Sequence, residues 1–285
     1  MTKKMDSRYL EEEMIESYRD YLIEDEKSKN TIEKYVRDIG TFYRYLQDDR
    51  NVTKMRVIQY KAYLENQYAI SSVNSMLVAV NSFFSYLGWD EMRIKLIRRQ
   101  RKIYCPEECE LNREEYKRLI EAAEKKGKCR LSMVMKTVCA TGIRISELCY
   151  ITVEAVKTKR AQITLKGKTR IIFLPGKLCG QLLDYARKNK ITSGYIFQTK
   201  NGNPLDRSNI WHEMKKICQE AGVSDTKVFP HNLRHLFART YYEAKKDIVR
   251  LADILGHSSV ETTRIYTISS GVEQAKEIEM LQLVI

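Results

Sequence analysis

A chain of 285 residues that is 43% hydrophobic and 31% charged is long enough for two domains with their own cores and too apolar to be disordered. No apolar run approaches the ~18 residues of a membrane span, and polar and acidic residues follow Met-Thr-Lys-Lys where a signal peptide needs an apolar stretch, so a cytoplasmic protein with no membrane partner is expected. The net charge of +13 is uneven, +1 over residues 1–100 and +12 over residues 101–285, which points to a polyanionic partner, nucleic acid first.

The first hundred residues predict four amphipathic helices, near 7–25, 32–46, 53–67 and 71–87, enough for a small bundle. The second carries the clearest stripe, with Ile32, Tyr35, Val36, Ile39, Phe42, Tyr43 and Leu46 at a 3.6-residue period. Asn30 with Glu33 three positions on is its expected capping start. "RIKLIRRQRK", Arg93 to Lys102, then holds six basic residues and no acid, ahead of Pro106 and the acidic "EECE". Residues 101–110 read as a linker. Arg93, Arg98, Arg99, Arg101 and Lys102 are candidate contacts to a phosphate backbone, the alternative being a solvated connector.

The second domain, 111–285, begins with Asn112 capping a helix, Glu115 as its reciprocal partner and Leu111 and Tyr116 at the staple positions. A helix to Gly127, another over 129–140, and a glycine turn in "ATGIRISELCYI" opening a further helix come next. "AQITLKGKTRIIFLP" breaks the pattern: two β-branched runs flank Lys-Gly-Lys-Thr, the signature of a β-hairpin. Helices are expected again at 178–189, 207–221, 231–243, 247–255, 259–267 and 271–282. The fold class is therefore mainly α, with a small β-hairpin in an α+β second domain.

The seven cysteines are odd in number and form no CxxC pair, which argues against a disulfide framework or zinc ribbon. Of four histidines, His212 sits in an ordinary helix and is given no role. "HNLRH" places His231 and His235 at i and i+4, a possible metal face. Yet a zinc protease needs glutamate where Asn232 stands, and the permanent charge of Arg234 would oppose a dication, so no metal is expected. Read as an anion site, the residues cohere. Arg144, His231, Arg234 and His257 are donors for phosphate oxygens, and arginine's planar fork holds two at once. Tyr266 supplies a phenol nucleophile. Attack on a phosphodiester builds charge on phosphorus oxygens that fixed donors must stabilise without a metal, and a hairpin lysine is a reachable general acid.

That combination, in its order along the chain, resembles the tyrosine recombinases, the phage-integrase-like family of site-specific DNA recombinases. "ATGIRISEL" resembles the box that carries the family's first arginine, giving Arg144 with the supporting Glu147. "LKGKTRIIFLP" resembles the lysine hairpin. The family lysine most often precedes a glycine, which selects Lys166, with Lys168 as the alternative. "HNLRH" gives His231 and Arg234, and "LGHSSVETTRIYT" gives His257 and the nucleophile Tyr266. "TIEKYVRDIGTFYRYL" is similar to part of the family's N-terminal core-binding (SAM-like) domain, placing that domain at 1–100 and the catalytic domain at 111–285.

The resemblance implies two domains clamping a DNA duplex, with the linker passing along it. It implies cleavage and rejoining through a 3′-phosphotyrosine, without cofactor, metal or ATP, in DNA integration or recombination such as a mobile element requires. His231 would take or organise the tyrosine proton, and His235 is read as structural. It also implies a tetramer on double-stranded DNA target sites and a monomer when free, with the tail "ISSGVEQAKEIEMLQLVI" docking on a neighbour or on its own domain. Within the last box, Gly256 is expected to end a helix and Ser258 with Glu261 to cap the next, Tyr266 lying about two turns in. Rivals are a type IB topoisomerase, a DNA-binding protein that has lost catalysis, and a zinc hydrolase built on His231 and His235.

Overall fold

The computed structural model describes residues 8–98, 110–165, 168–199, 201–266 and 279–281, and the chain divides into two units, residues 1–101 and 102–285.

In the first unit the four expected helices form: α1 (Glu12–Glu24), α2 (Lys29–Leu46), α3 (Lys54–Gln67) and α4 (Ile70–Tyr86). The stripe of α2 turns inward as its period requires, with Ile39, Phe42 and Leu46 fully buried among Tyr18, Leu22, Tyr60, Leu77, Val80, Phe83 and Phe84. The cap of α2 differs from the expectation. Ser28, not Asn30, is the N-cap, its hydroxyl accepting from the Thr31 amide at 3.4 Å. Serine is as good a cap as asparagine, and starting two residues earlier gains half a turn of helix. Two strands too short to leave a periodic signal, β1 (Arg8–Tyr9) and β2 (Asn51–Val52), pair antiparallel.

The basic stretch after α4 is not a free connector in its first half. Asn74 and Asn81 lie seven residues apart, on one face of α4. The Asn81 amide donates to the Ile94 carbonyl at 2.8 Å and accepts from the Ile94 N–H at 3.0 Å. Asn74 does the same for Ile97, at 3.0 and 2.8 Å. Lys54 and Lys61 add bonds to the carbonyls of Arg93 and Lys95. Two side-chain amides thus act as the missing neighbour strand for residues 94–97. Arg93 is held by Asp90 at 3.0 Å, Arg98 is exposed, and Arg99, Arg101 and Lys102 lie outside the described residues. Asn81→Ala is expected to destabilise the first unit by about 1–2 kcal/mol, because both polar groups of Ile94 lose their partner. Chemical denaturation measures the loss, and faster tryptic cleavage after Arg93, Lys95 or Arg98 reports the freed segment.

The second unit opens as expected. Asn112 Oδ1 accepts from the Glu115 amide at 2.8 Å, and Glu115 returns an acceptor to the Asn112 amide at 3.0 Å, starting α5 (Arg113–Lys125). Then come α6 (Cys129–Thr141), a 3₁₀ turn over Ile145–Tyr150 where an α-helix was expected, and α7 (Val153–Lys157). The hairpin is β3 (Arg160–Leu165) with β4 (Lys168–Phe173), in a register that pairs Arg160 with Phe173 and Leu165 with Lys168. Next are α8 (Gly176–Lys188) and the expected 207–221 helix, broken at Lys216–Ile217 into α9 (Arg207–Lys215) and α10 (Cys218–Ala221). The chain continues through α11 (Pro230–Lys245), α12 (Ile248–Leu255), α13 (Val260–Thr263) and a 3₁₀ turn over Arg264–Tyr266. One core spans α5 to α11, and a smaller cluster joins Ala238, Leu251, Leu255 and Tyr266. The final box differs in detail from its expectation: Ser259 is the cap of α13, and Tyr266 follows a single α turn tightened into 3₁₀. The expected 271–282 helix falls almost wholly outside the described residues.

Candidate active site

Two helix ends build the site. α6 stops at Gly142 and α12 at Gly256, both left-handed with φ near 66° and 65°. That conformation favours glycine, and packing reinforces it. A Cβ at Gly142 would run into the Phe237 ring, and one at Gly256 into the Arg170 side chain. The carbonyls left without helical partners at these ends point at guanidinium groups.

Arg234, on α11, is 1% exposed. Its Nη1 donates to the Gly142 carbonyl at 2.6 Å, and its Nη2 to the Leu255 carbonyl at 2.8 Å. The same Nη2 faces His257 Nε2 at 2.9 Å. Arg144 reaches the Leu255 and Gly256 carbonyls at 3.5 Å, and Arg170 also donates to the Leu255 carbonyl. Three arginines therefore meet at the C-terminal end of α12, whose dipole favours cations. A single carboxylate, Glu147, 1% exposed, accepts from Arg144 at 3.0 Å and from Arg170 at 2.6 Å. Glu147 also caps the Arg144 backbone amide at 2.7 Å. Three cations against one anion leave the cluster net positive, an anion site.

The histidines and Tyr266 complete it. Guanidinium has no acceptor, so His257 Nε2 must accept from Arg234, which puts the ring proton on Nδ1, where it donates to Thr263 Oγ1 at 2.8 Å. His257 is thus neutral, and its pKa is pushed down to about 4 by burial and then by Arg234, Arg144 and Arg170. Its ring stacks on Tyr266, centroids 5.9 Å apart. His235 stands between His231 and Tyr266, edge-to-face with each at 4.7 and 4.6 Å. Burial, followed by His231, Arg239 and Arg234, lowers its pKa to about 3. His231 keeps an exposed edge, while packing around its ring and the charges of Arg234 and Arg144 hold its pKa below the ordinary value. Burial also lowers that of Arg234, Arg144 adding to the effect and the Tyr266 hydroxyl countering it. Tyr266 itself is 3% exposed.

Half-buried rings held neutral make stability depend on acid. In the unfolded chain His235 and His257 protonate below about pH 6.5, whereas the folded rings resist to about 3 and 4. Their contribution is whole above pH 6.5 and lost as pH falls towards those values, by at most about 1.4 kcal/mol per pH unit for His235 and by less for the more open His257, where solvent screens the charge. A melting-temperature series from pH 7 to pH 4.5 is expected to slope less steeply in His235→Gln than in the wild type. Equal slopes would contradict the neutral assignment of His235.

A cleft of about 620 Å³ opens beside the cluster. Arg144, His231 and Arg234 line one side, and Arg207, Ser208 and Trp211 of α9 line it too. Of the three clustered arginines Arg144 is the most open, with 39% of its side chain exposed, and Tyr266 is not among the residues lining the cleft.

Six expected residues are thus together: Arg144, Glu147, His231, Arg234, His257 and Tyr266. Lys166 lies outside the described residues, and of Lys168 only the backbone is described, opening β4. His235, expected to be structural, packs directly on Tyr266. His212 stays outside the cluster, its Nδ1 2.7 Å from the Ser208 carbonyl. Missed from sequence were Arg170, Arg207, Trp211 and Thr263. Arg170 had left a signal. Along β4 the side chains of Ile171 and Phe173 are exposed, and those of Ile172 and Leu174 buried. An arginine in phase with the buried set needs a buried partner. Among the described residues, no group of three or more His, Cys, Asp or Glu converges as a metal site would require. Nor is any described helix long and apolar enough to cross a membrane.

Residues 110–271 match the model of the phage integrase family, and residues 15–91 that of the phage integrase N-terminal SAM-like domain. Tyrosine recombinase XerA of Pyrococcus furiosus is 32% identical, the alignment covering 97% of this chain and 99% of the relative. Tyrosine recombinase XerD of Shewanella oneidensis is 28% identical over 84% of this chain and 86% of its own. Among solved structures, a XerA recombinase has a TM-score of 0.53 at 26% identity, covering 95% of this chain and 98% of that one. A lambda integrase tetramer bound to a Holliday junction shares the fold, with a TM-score of 0.71 at 18% identity over 92% of this chain and 78% of that one.

Proposed function

Because the chain belongs to the phage integrase family, tyrosine recombinases that carry out site-specific recombination by cleaving and rejoining DNA, we propose that Tyr266 is its nucleophile and that Arg144, Arg234 and His257 hold the scissile phosphate. The observation that carries the reading is the convergence of these four side chains on the end of α12, beside an open, net-positive cleft.

Tyr266 Oη attacks phosphorus, the bond to the 5′ oxygen breaks, and a 3′-phosphotyrosine and a free 5′-hydroxyl result. Arg144 and Arg234 stabilise the charge that grows on the non-bridging oxygens. His231, held neutral near pH 7 by its lowered pKa, accepts or organises the tyrosine proton. Lys166, or Lys168 in its place, protonates the leaving oxygen. The 5′-hydroxyl of a partner duplex reverses the step, and the phosphodiester energy kept in the tyrosyl bond makes metal and ATP unnecessary. His257 spends its Nε2 lone pair on Arg234, so donating from Nε2 to a phosphate oxygen requires it both to release that bond and to gain a proton there. Glu147 orients Arg144.

In this reading residues 1–100 are a DNA-binding domain, residues 111–285 the catalytic domain and 101–110 the linker. Arg93, Arg98, Arg99, Arg101 and Lys102 meet the DNA backbone. The enzyme is monomeric when free and assembles as a tetramer on duplex target sites in the cytoplasm. Its supports are the charge of +12 over residues 101–285 and the DNA-bound tetramer among the structural neighbours.

The test is a nicked suicide duplex bearing the target sequence, from which the freed 5′ fragment diffuses away. The wild type is expected to leave a denaturant-resistant protein–DNA band, unaffected by chelator, with the DNA 3′ end attached to the peptide that contains Tyr266. No band, or attachment elsewhere, contradicts the assignment.

A further inference from the structure

We propose that Arg170 is a positioning residue for strand cleavage, one that sets the aim of Arg144 and ties the hairpin to the anion site. The inference rests on the reading that Arg144 and Arg234 hold the scissile phosphate. The Arg170 side chain is 16% exposed and does not line the cleft, so it does not act by meeting DNA there.

Its contacts say what it does instead. Nη2 donates to Glu147 Oε2 at 2.6 Å, and Nη1 donates to the Leu255 carbonyl. Glu147 uses its other oxygen for Arg144 Nη1 at 3.0 Å. The carboxylate is therefore gripped from two sides, one arginine largely enclosed and one facing the cleft. Were Arg170 lost, Arg144 alone would balance a buried carboxylate and would be drawn towards it, away from the phosphate. The end of α12, from which His257 projects, would lose one of its three arginines in the same step.

Two further features mark the contact as built for arginine. A Cβ at position 256 would occupy the Arg170 guanidinium, so the glycine both ends α12 and makes the room. Lysine, a point charge, cannot hold Glu147 and the Leu255 carbonyl with the same planar fork. Arg170 also stands in β4, two residues after Lys168 and four after Lys166. The strand that follows Lys166 and opens at Lys168, the two candidate general acids, is thereby fixed to the same carbonyl as the phosphate-binding arginines.

The test compares the wild type with Arg170→Gln, Arg170→Lys, Glu147→Gln and the Arg170→Gln/Glu147→Gln double variant in single-turnover cleavage of the suicide duplex, scored per DNA-bound enzyme. Arg170→Gln is expected to cleave about 100-fold more slowly at saturating DNA, the scale of a misplaced catalytic group, with DNA affinity little changed. Arg170→Lys recovers part of the rate, and the double variant is no slower than the worse single one, because both act through one linkage. On a duplex with a neutral methylphosphonate at the scissile position the Arg170→Gln deficit shrinks, since there is less charge for Arg144 to meet. An unchanged rate per bound complex overturns the proposal, as does a deficit equal on both duplexes or two single effects that multiply. Absence of an adduct from the wild type overturns the catalytic reading and this one with it. An adduct from the wild type with undiminished cleavage by Arg170→Gln overturns this one alone.

Discussion

Tyr266→Phe is expected to abolish the covalent protein–DNA adduct, a loss of at least about 10⁴-fold in cleavage, while the protein folds and binds its DNA normally. The ring itself is well held. It packs among Ala238, Leu251 and Leu255 and lies against His235 and His257, contacts that phenylalanine keeps. What phenylalanine lacks is the oxygen that would bond to phosphorus, and no neighbouring donor can replace a missing nucleophile. Gel shift and denaturing electrophoresis on one suicide duplex read the two halves separately. A Tyr266→Phe variant that forms adduct at the wild-type rate would move the nucleophile to another residue.

Arg234→Met carries the second large effect, and it strikes stability and chemistry together. The methionine fills part of the volume but leaves the Gly142 carbonyl and the His257 Nε2 without their donor, in a site where the arginine is 1% exposed. Each buried polar atom left unpaired costs about 1–3 kcal/mol. A total loss of about 3–5 kcal/mol in the second unit is expected, the Leu255 carbonyl still having its other donors. Cleavage per folded, DNA-bound molecule should fall by about 10²–10³, the cost of losing one preorganised donor for transition-state charge. Arg234→Lys keeps the charge but not the fork, so it should recover stability more than rate. Denaturation curves and single-turnover cleavage measure the two. A variant that folds less stably yet cleaves normally would make Arg234 a structural residue only.

Much of this was legible in the residues, for reasons that differ from place to place. Asn112 and Glu115 were readable because a capping box is local, both partners lying within one turn. The stripe of α2 was readable because burial repeats every 3.6 residues. Its cap was not, since Ser28 and Asn30 are both good N-caps and only the packed helix chooses between them. The break at Lys216–Ile217 was hidden because neither residue is a strong helix breaker. The candidate site was legible as residue types in order. Its arrangement was not, because the arginines are brought together by carbonyls, and a carbonyl has no letter of its own in the sequence. Asn74 and Asn81 were silent for a related reason: their partners are the backbones of Ile94 and Ile97, which any residue there would supply.

The Leu255 carbonyl, on which Arg144, Arg170 and Arg234 all close, has a consequence for how the protein tolerates change. The shared acceptor belongs to the main chain, so it survives every substitution at position 255 that leaves the end of α12 in place. A systematic trimming of side chains would register Leu255 only as lost packing and would pass over the junction of the site. Replacing the 255–256 amide by an ester, whose carbonyl is a poorer acceptor, is the edit that reaches it. Drift in the surrounding side chains can therefore proceed around a point that mutation of any single codon leaves chemically the same.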